Sequence, residues 1–337
     1  MPSLIEAPLR NSLRFMKSAV KSNPFFARLL YDVANADAFT PLEWHEKMLA
    51  DTVRVESYRE GIQRTVKPGD VVVDLGTGTG LLAFFAAAAG AKRVYAVDHS
   101  RFIDVAAEIG RRNGFNNIVF VPKNSRDFEC PEPVDLIVHE QIGHALFDEN
   151  MVFNLLDLKR RMLKPGGRIL PARFKLFAAP MSLMPEHRRP FLWEVSVPGI
   201  DLSFLRNQEG LEEFRGNSHH YRLLANNQVE SLLAPPELIA EVDLNRIGSD
   251  DEVAYRRKVS WRIDKDGDLE GVGFFFQVSF DDSDMLVFDT APTSRQTSWQ
   301  CQLMRADQQS VVVDEKVEFE FNLDPISERH RWRMRRA

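Results

Sequence analysis

Apolar positions first run without alternation at Val71–Leu75 (VVVDL), and again over residues 81–89 (LLAFFAAAA). The first pattern predicts a strand covered on both faces and the second a helix packed on it. Between them stand Gly76, Gly78 and Gly80, which lack a Cβ and let a ligand lie against backbone at a helix N-terminus. The alternation continues with a strand over 93–97, a helix over 103–112, strands over 117–121 and 134–138, and a helix over 151–163. Lys164-Pro165-Gly166-Gly167 then stops that helix before a strand at 168–170. Upstream, residues 42–62 predict one helix, free of Pro and Gly until Gly61, and Pro68-Gly69 breaks the chain before the first strand. Such a chain is α/β, a doubly wound, Rossmann-like parallel sheet.

Beyond Pro171 the pattern changes. Residues 175–178, 253–263, 272–280 and 311–321 have strand character with no helices between them, which predicts a second, β-rich domain. The Phe274–Phe276 cluster reads as sheet core. The division expected is an N-terminal helical segment (1–60), a nucleotide-type domain (61–171), a β-rich domain (172–325) and a basic tail (326–337).

Length and charge narrow the function. At 337 residues the chain has room for two cores. A formal net charge of −6 argues against a nucleic-acid binder, which needs a basic face for phosphates. The stretch 329–336, RHRWRMRR, reads as a solvated, mobile terminus. Cys130 and Cys301 have neither framework nor metal-ligand spacing, so no metal site is expected and a reducing, cytoplasmic setting is. No apolar stretch approaches the length of a membrane span, and no signal peptide is evident.

The glycine turn separates cofactor classes. A phosphate loop needs Lys-Ser or Lys-Thr after its last glycine, where Leu81 and Leu82 stand. The dinucleotide fingerprint places two residues before its third glycine, where Thr79 stands alone. With Asp74 two residues ahead of Gly76, the string resembles the first motif of S-adenosylmethionine-dependent methyltransferases. The resemblance implies S-adenosylmethionine held by Asp74, Gly76, Thr77, Gly78, Gly80 and Leu81, and by Asp98 and His99 after the next strand. Asp98 suits a ribose diol; the other reading is that it caps the helix beginning near Arg101.

Residues 139–151, HEQIGHALFDENM, follow the strand end where open α/β sheets place ligands. Glu140 and Glu149 lie nine positions apart, with Gly143 between them to permit a tight reversal. The string resembles the double-glutamate (double-E) loop of the protein arginine methyltransferases. The resemblance runs from about Trp44 to Phe321. It takes in His45, Met48, Leu49, Asp51, Val53, Arg54 and Tyr58 upstream, Gly166-Gly167 and Pro171 downstream, and Thr297-Ser298-Trp299 in place of a Thr-His-Trp loop. It implies methyl transfer to a guanidinium nitrogen of an arginine-containing protein or peptide, and a barrel-like second domain. It further implies a homodimer formed through a helical arm at about 187–224. Catalytic positions would be Glu140, Glu149, Arg54, His45 and Trp299; Met48, Arg54, Asn124, Ser125 and Glu140 would also reach the cofactor. The chemistry agrees: a guanidinium is a rigid cationic fork, so two opposed carboxylates grip it and turn one nitrogen toward the sulfonium methyl. Arg54 is expected to pair with Glu140.

The chain also departs from the family. Ser298 replaces the His; Asn124, Ser125 and Arg126 stand where an acidic residue meets the adenine amino group; Gln141 and His144 replace aromatics of the substrate channel. The Tyr-Phe motif of the N-terminal helix is missing, with Phe39 and the Phe25-Phe26 pair as loose substitutes. Two alternatives follow: methylation of a small guanidine or amine metabolite, or a non-catalytic binding protein. His45, His139 and His144 read equally as structural or surface histidines, and Trp299 as core.

Overall fold

The structure, a computed structural model, describes residues 42–143, 146, 151–208, 221–249, 252–253, 256–281, 283–324 and 329–336. Glu149, His144, Phe25, Phe26, Phe39 and residues 209–220 of the candidate arm lie outside them.

Strands β1 (Val71–Leu75), β2 (Arg93–Asp98), β3 (Ile118–Pro122), β4 (Val134–His139) and β5 (Leu163–Leu170) form one parallel sheet in the order β3-β2-β1-β4-β5. All five residues of β1 are buried, because this central strand is covered on both faces. Helices α3 (Leu81–Ala88), α4 (Phe102–Arg112) and α5 (Met151–Met162) follow β1, β2 and β4. From β1 the chain builds outward to β2 and β3, then returns to place β4 on the opposite side. The crevice at the carboxyl ends of β1 and β4 is therefore the topological switch point, where such sheets bind ligands.

Two expectations about this half change. The single helix over 42–62 is two, α1 (Leu42–Ala50) and α2 (Thr52–Thr65), divided at Asp51. No Pro or Gly breaks it; the Asp51 carboxylate accepts the Arg54 N–H at 3.0 Å and caps α2. The Lys-Pro-Gly-Gly run lies inside β5 and does not precede it. Pairing with β4 shifts register between Val134 and Leu136, and Gly166 takes φ +80° at that irregularity.

The second half is antiparallel. Strands β6 (Arg173–Leu183), β7 (Tyr221–Leu224), β8 (Val229–Leu232), β11 (Gly267–Ser279) and β13 (Cys301–Val311) pair in the order β7-β13-β11-β6-β8. β9 (Glu237–Asp243) joins β6, and β12 (Val287–Asp289) joins β11. A three-stranded sheet of β10 (Arg256–Arg262), β14 (Lys316–Asp324) and β15 (Arg329–Arg336) completes a curled, barrel-like unit. Strand β11 is covered on both faces. Phe274 and Phe276 enter the main core, where Phe274 meets Phe321 at 4.8 Å between ring centroids, whereas Phe275 packs with Met181, Leu224, Cys301 and Leu303.

The basic C-terminus is not a mobile tail. It pairs with β14 from Val317↔Arg336 to Asp324↔Arg329, because Trp332 and Met334 alternate with arginines at the period of a strand and pack against the core. Within the described part of the candidate arm the expected helix is absent. Residues Pro185–His187, Leu192–Glu194 and Ser203–Asn207 form short 3₁₀ turns.

Candidate active site

A cavity of about 270 Å³ opens at the switch point. Its floor is the turn after β1, where Gly76, Gly78 and Gly80 take φ of +69°, +50° and +87°. A Cβ on Gly76 would meet nothing within 4 Å, and one on Gly78 would touch the His45 ring at 3.5 Å. Asp98, at the end of β2, braces this turn: its two oxygens accept the Gly78 and Ser100 N–H groups, each at 2.8 Å. Each oxygen keeps a second lone pair. His45 comes from α1, is buried, and stacks on Phe102 with centroids 3.8 Å apart.

Asp74 and Gly80 stand back from the cavity. Neither is on the cavity wall. Asp74 is fully buried behind the turn, where its Oδ2 accepts the Thr77 hydroxyl and the Ala83 N–H; burial raises its pKa to about 7. Gly80 begins α3, and any Cβ there would strike the Phe84 ring at 2.6 Å. They shape the cradle; Gly76, Thr77, Gly78, Leu81, Asp98, His99, Asn124 and Ser125 line it.

On the opposite wall, Arg54 of α2 donates through Nη2 to Glu140 Oε2 and through Nη1 to the Met48 carbonyl at 3.0 Å. Its guanidinium lies 5.3 Å from the Trp299 ring centroid, and its Nε is buried with no hydrogen-bond partner among the described residues. Glu140 directly follows β4. Burial raises its pKa, opposed by the charge and hydrogen bond of Arg54 and by the Ile142 N–H. Trp299 Nε1 donates to the Ile142 carbonyl at 2.7 Å, tying the barrel domain to the segment after Glu140. The Ser298 N–H donates at 2.5 Å to Asp51 Oδ2, whose other oxygen caps α2. The two domains thus meet on both sides of the Arg54–Glu140 pair.

Residues 66–196 match the model of the methyltransferase domain, and residues 192–334 that of the arginine methyltransferase oligomerization subdomain. Protein arginine N-methyltransferase 6 of Danio rerio is 34% identical over 304 residues, covering 88% of this chain and 85% of that protein. This chain belongs to the protein arginine N-methyltransferase family. Protein arginine N-methyltransferase 6 of Xenopus tropicalis is 32% identical over 302 residues, covering 87% of each chain. Among solved structures, the PRMT1 enzyme–prozyme heterotetrameric complex with AdoHcy of Trypanosoma brucei aligns with a TM-score of 0.73 and 21% identity. The alignment covers 89% of this chain and 99% of that one. Protein arginine methyltransferase 10 of Arabidopsis thaliana aligns at 0.71 and 24%, covering 85% and 89%. At these identities the structures show the shared fold.

Of the expected arginine methyltransferase positions, His45, Met48, Arg54, Glu140 and Trp299 all line the one cavity; Glu149 lies outside the described residues. His139 does not line it. Fully buried, with its pKa lowered to about 4 by burial, its ring joins Nε2 to the Pro171 carbonyl at 2.8 Å. The reversal after Glu140 is closed by an antiparallel bridge between Gly143 and Leu146, but the positive φ (+70°) falls on buried Leu146 and not on the glycine. Sequence reasoning gave no site role to Asp51, Lys123 or Asn154. Lys123 follows β3 at the ligand end of the sheet, a position its place after a strand would have revealed. Asn154 donates at 3.4 Å to Gln141 from α5, a cross-element contact with no local signal.

Proposed function

We propose that this chain transfers a methyl group from S-adenosylmethionine to a guanidinium nitrogen of arginine in a protein or peptide. The observation that carries this reading is the buried carboxylate of Glu140, oriented by Arg54, on the wall of the same cavity whose floor is the positive-φ glycine turn. The residues fit the cofactor. Asp98 retains lone pairs for a ribose diol, Gly76 presents bare backbone, and the unsatisfied Nε of Arg54 suits a carboxylate such as that of the methionyl part. S-adenosylmethionine supplies, when bound, an electrophilic methyl on a sulfonium.

Everything else falls to this chain. Glu140 accepts hydrogen bonds from the guanidinium and, with Glu149 in the role its sequence position implies, draws positive charge away from the attacking nitrogen. Arg54 opposes the rise that burial imposes on the Glu140 pKa and aims its carboxylate. Trp299 covers the pair and anchors the backbone beside it, and His45 packs against the glycine turn. No group of three or more His, Cys, Asp or Glu that would hold a metal occurs among the described residues, and the displacement needs none.

The arm supports a homodimer: Leu192, Ile200 and Phe204 are 53%, 59% and 58% exposed, an apolar set that a second copy would cover. The altered channel position Gln141, bonded to Asn154, is polar where the family has an aromatic. A protein acceptor is favoured because relatives above 30% identity carry the name protein arginine N-methyltransferase. No helix among the described residues is long and apolar enough to cross a membrane, and a cytoplasmic setting is proposed from cysteine usage alone.

Incubation with methyl-labelled cofactor and a peptide containing one arginine, followed by mass spectrometry, tests this. Label on arginine is the expected result, lost in Glu140→Gln. Label on a lysine control, or on free guanidine compounds but no peptide, would overturn the acceptor.

A further inference from the structure

The outer face of the β10-β14-β15 sheet carries a charge pattern that the reaction does not use. Residues at alternate positions share this face: Arg256, Lys258 and Arg262 on β10, Lys316, Glu318 and Glu320 on β14, and Arg333 and Arg335 on β15. Among the side chains described on this face, six cations stand against two carboxylates, in a chain of net charge −6. The signs are ordered across the strands. Lys258 lies opposite Glu320 and Glu320 opposite Arg333; in the next row Glu318 lies opposite Arg335. The inner carboxylates are already engaged, Glu320 with Arg256 at 2.9 Å and Glu318 with Lys316 at 2.8 Å. Arg333 and Arg335 are exposed at the last strand of this sheet, so the sequence plus, minus, plus ends on a plus. The opposite side of β15 is unfinished too, since Trp332 and Met334 pack on the core yet remain half-buried.

We propose that the free edge of β15 docks an extended polypeptide segment in which acidic and apolar residues alternate. Paired as a fourth strand, its carboxylates lie beside Arg333 and Arg335 on the outer face, within about 5 Å between Cβ atoms, while its apolar side chains extend the cover over Trp332 and Met334. Glu318 and Glu320 are then a further strand away, about 9–10 Å, and do not oppose binding. A second copy is a poor occupant, because edge-to-edge pairing of β15 sets arginine rows together. A nucleic acid is a poor one as well: both aromatic and thioether side chains of the strand face inward, leaving no platform for bases. None of these eight residues lines the catalytic cavity, so the surface is separate from the active site.

The test uses the full chain and a fluorescein-labelled peptide alternating Glu with Val and Thr, followed by fluorescence anisotropy at low and moderate salt. Saturable, salt-sensitive binding is expected, weakened at least tenfold by Arg333→Glu/Arg335→Glu, with methylation of a peptide whose one charged side chain is arginine unchanged. A peptide alternating Lys with Val and Thr should bind the double variant and not the parent, which separates a charge contact from a folding defect. Arg333→Gln/Arg335→Gln gives the intermediate case. Absence of saturable binding to the parent overturns the proposal. So does undiminished binding by the double variant, equal affinity for a Gln-for-Glu peptide or for an oligothymidylate of equal charge, or a change in oligomeric state caused by the variants.

Discussion

Glu140 is a part-buried carboxylate beside one guanidinium, and the balance of burial against that charge sets its pH behaviour. Burial raises its pKa and Arg54 opposes that rise, so turnover is present above the resulting value and lost as pH falls through it. Arg54→Ala removes the opposing charge, and the acid limb of the kcat profile should move to higher pH by about one to three pH units. At neutral pH the variant should lose roughly 10²-fold or more in kcat, a loss of the size seen when a stabilising donor is removed. An acid limb that stays in place would detach Arg54 from Glu140. Asp74 has the opposite consequence. Its folded pKa, about 7, lies above the ordinary aspartate value of 3.8, so the folded state binds the extra proton between those limits. Its contribution therefore favours folding at low pH and is lost as pH rises from about 4 to 7. Asp74→Asn should flatten the dependence of melting temperature on pH across that window, read by scanning calorimetry; an unchanged slope would place the dependence elsewhere.

At the scale of elements, the site exists because short segments from both domains clamp one ion pair. Trp299 forms its edge contacts with Phe288 and Phe276 inside the barrel domain and sends its N–H to Ile142 in the other domain. Trp299→Phe keeps most of the packing and loses that hydrogen bond, so a stability loss of about 1 kcal/mol is expected. Chemical denaturation should detect it, together with a fall in kcat larger than any change in cofactor affinity. Equal falls in both would mean that Trp299 serves only the fold. These elements were unequally legible. Strand β1 and the glycine turn were plain in the sequence because an apolar run and three glycines are local signals. The break at Asp51 was not: the residue that divides α1 from α2 is neither Pro nor Gly, and its second oxygen serves Ser298, 247 positions away. The backbone N–H of Ser298 supplies a donor to Asp51 that no side-chain motif encodes. Strand β15 was misread because five arginines in RHRWRMRR hid the period-2 placement of Trp332 and Met334.

At the scale of the whole molecule, the proposed homodimer rests on the candidate arm. Leu192, Ile200 and Phe204 expose large apolar side chains within thirteen consecutive residues, while the barrel behind them is closed by its own core. An isolated monomer would keep this surface in water, at about 25 cal/mol per Å². Burial against a second copy is the economical arrangement, and the match of residues 192–334 to an oligomerization subdomain agrees with it. Leu192→Asp/Phe204→Asp places two carboxylates in that surface without touching any residue of the cavity wall. Sedimentation velocity should show a dimer for the parent chain and a monomer for the variant. The parent's melting temperature should rise with protein concentration, as mass action requires of a dimer, and the variant's should not. If the dimer also steadies the site, methyl transfer by the variant falls with Glu140 and Arg54 intact. Full activity in a proven monomer would make assembly and catalysis independent. A parent chain that sediments as a monomer would leave these three side chains to some other partner.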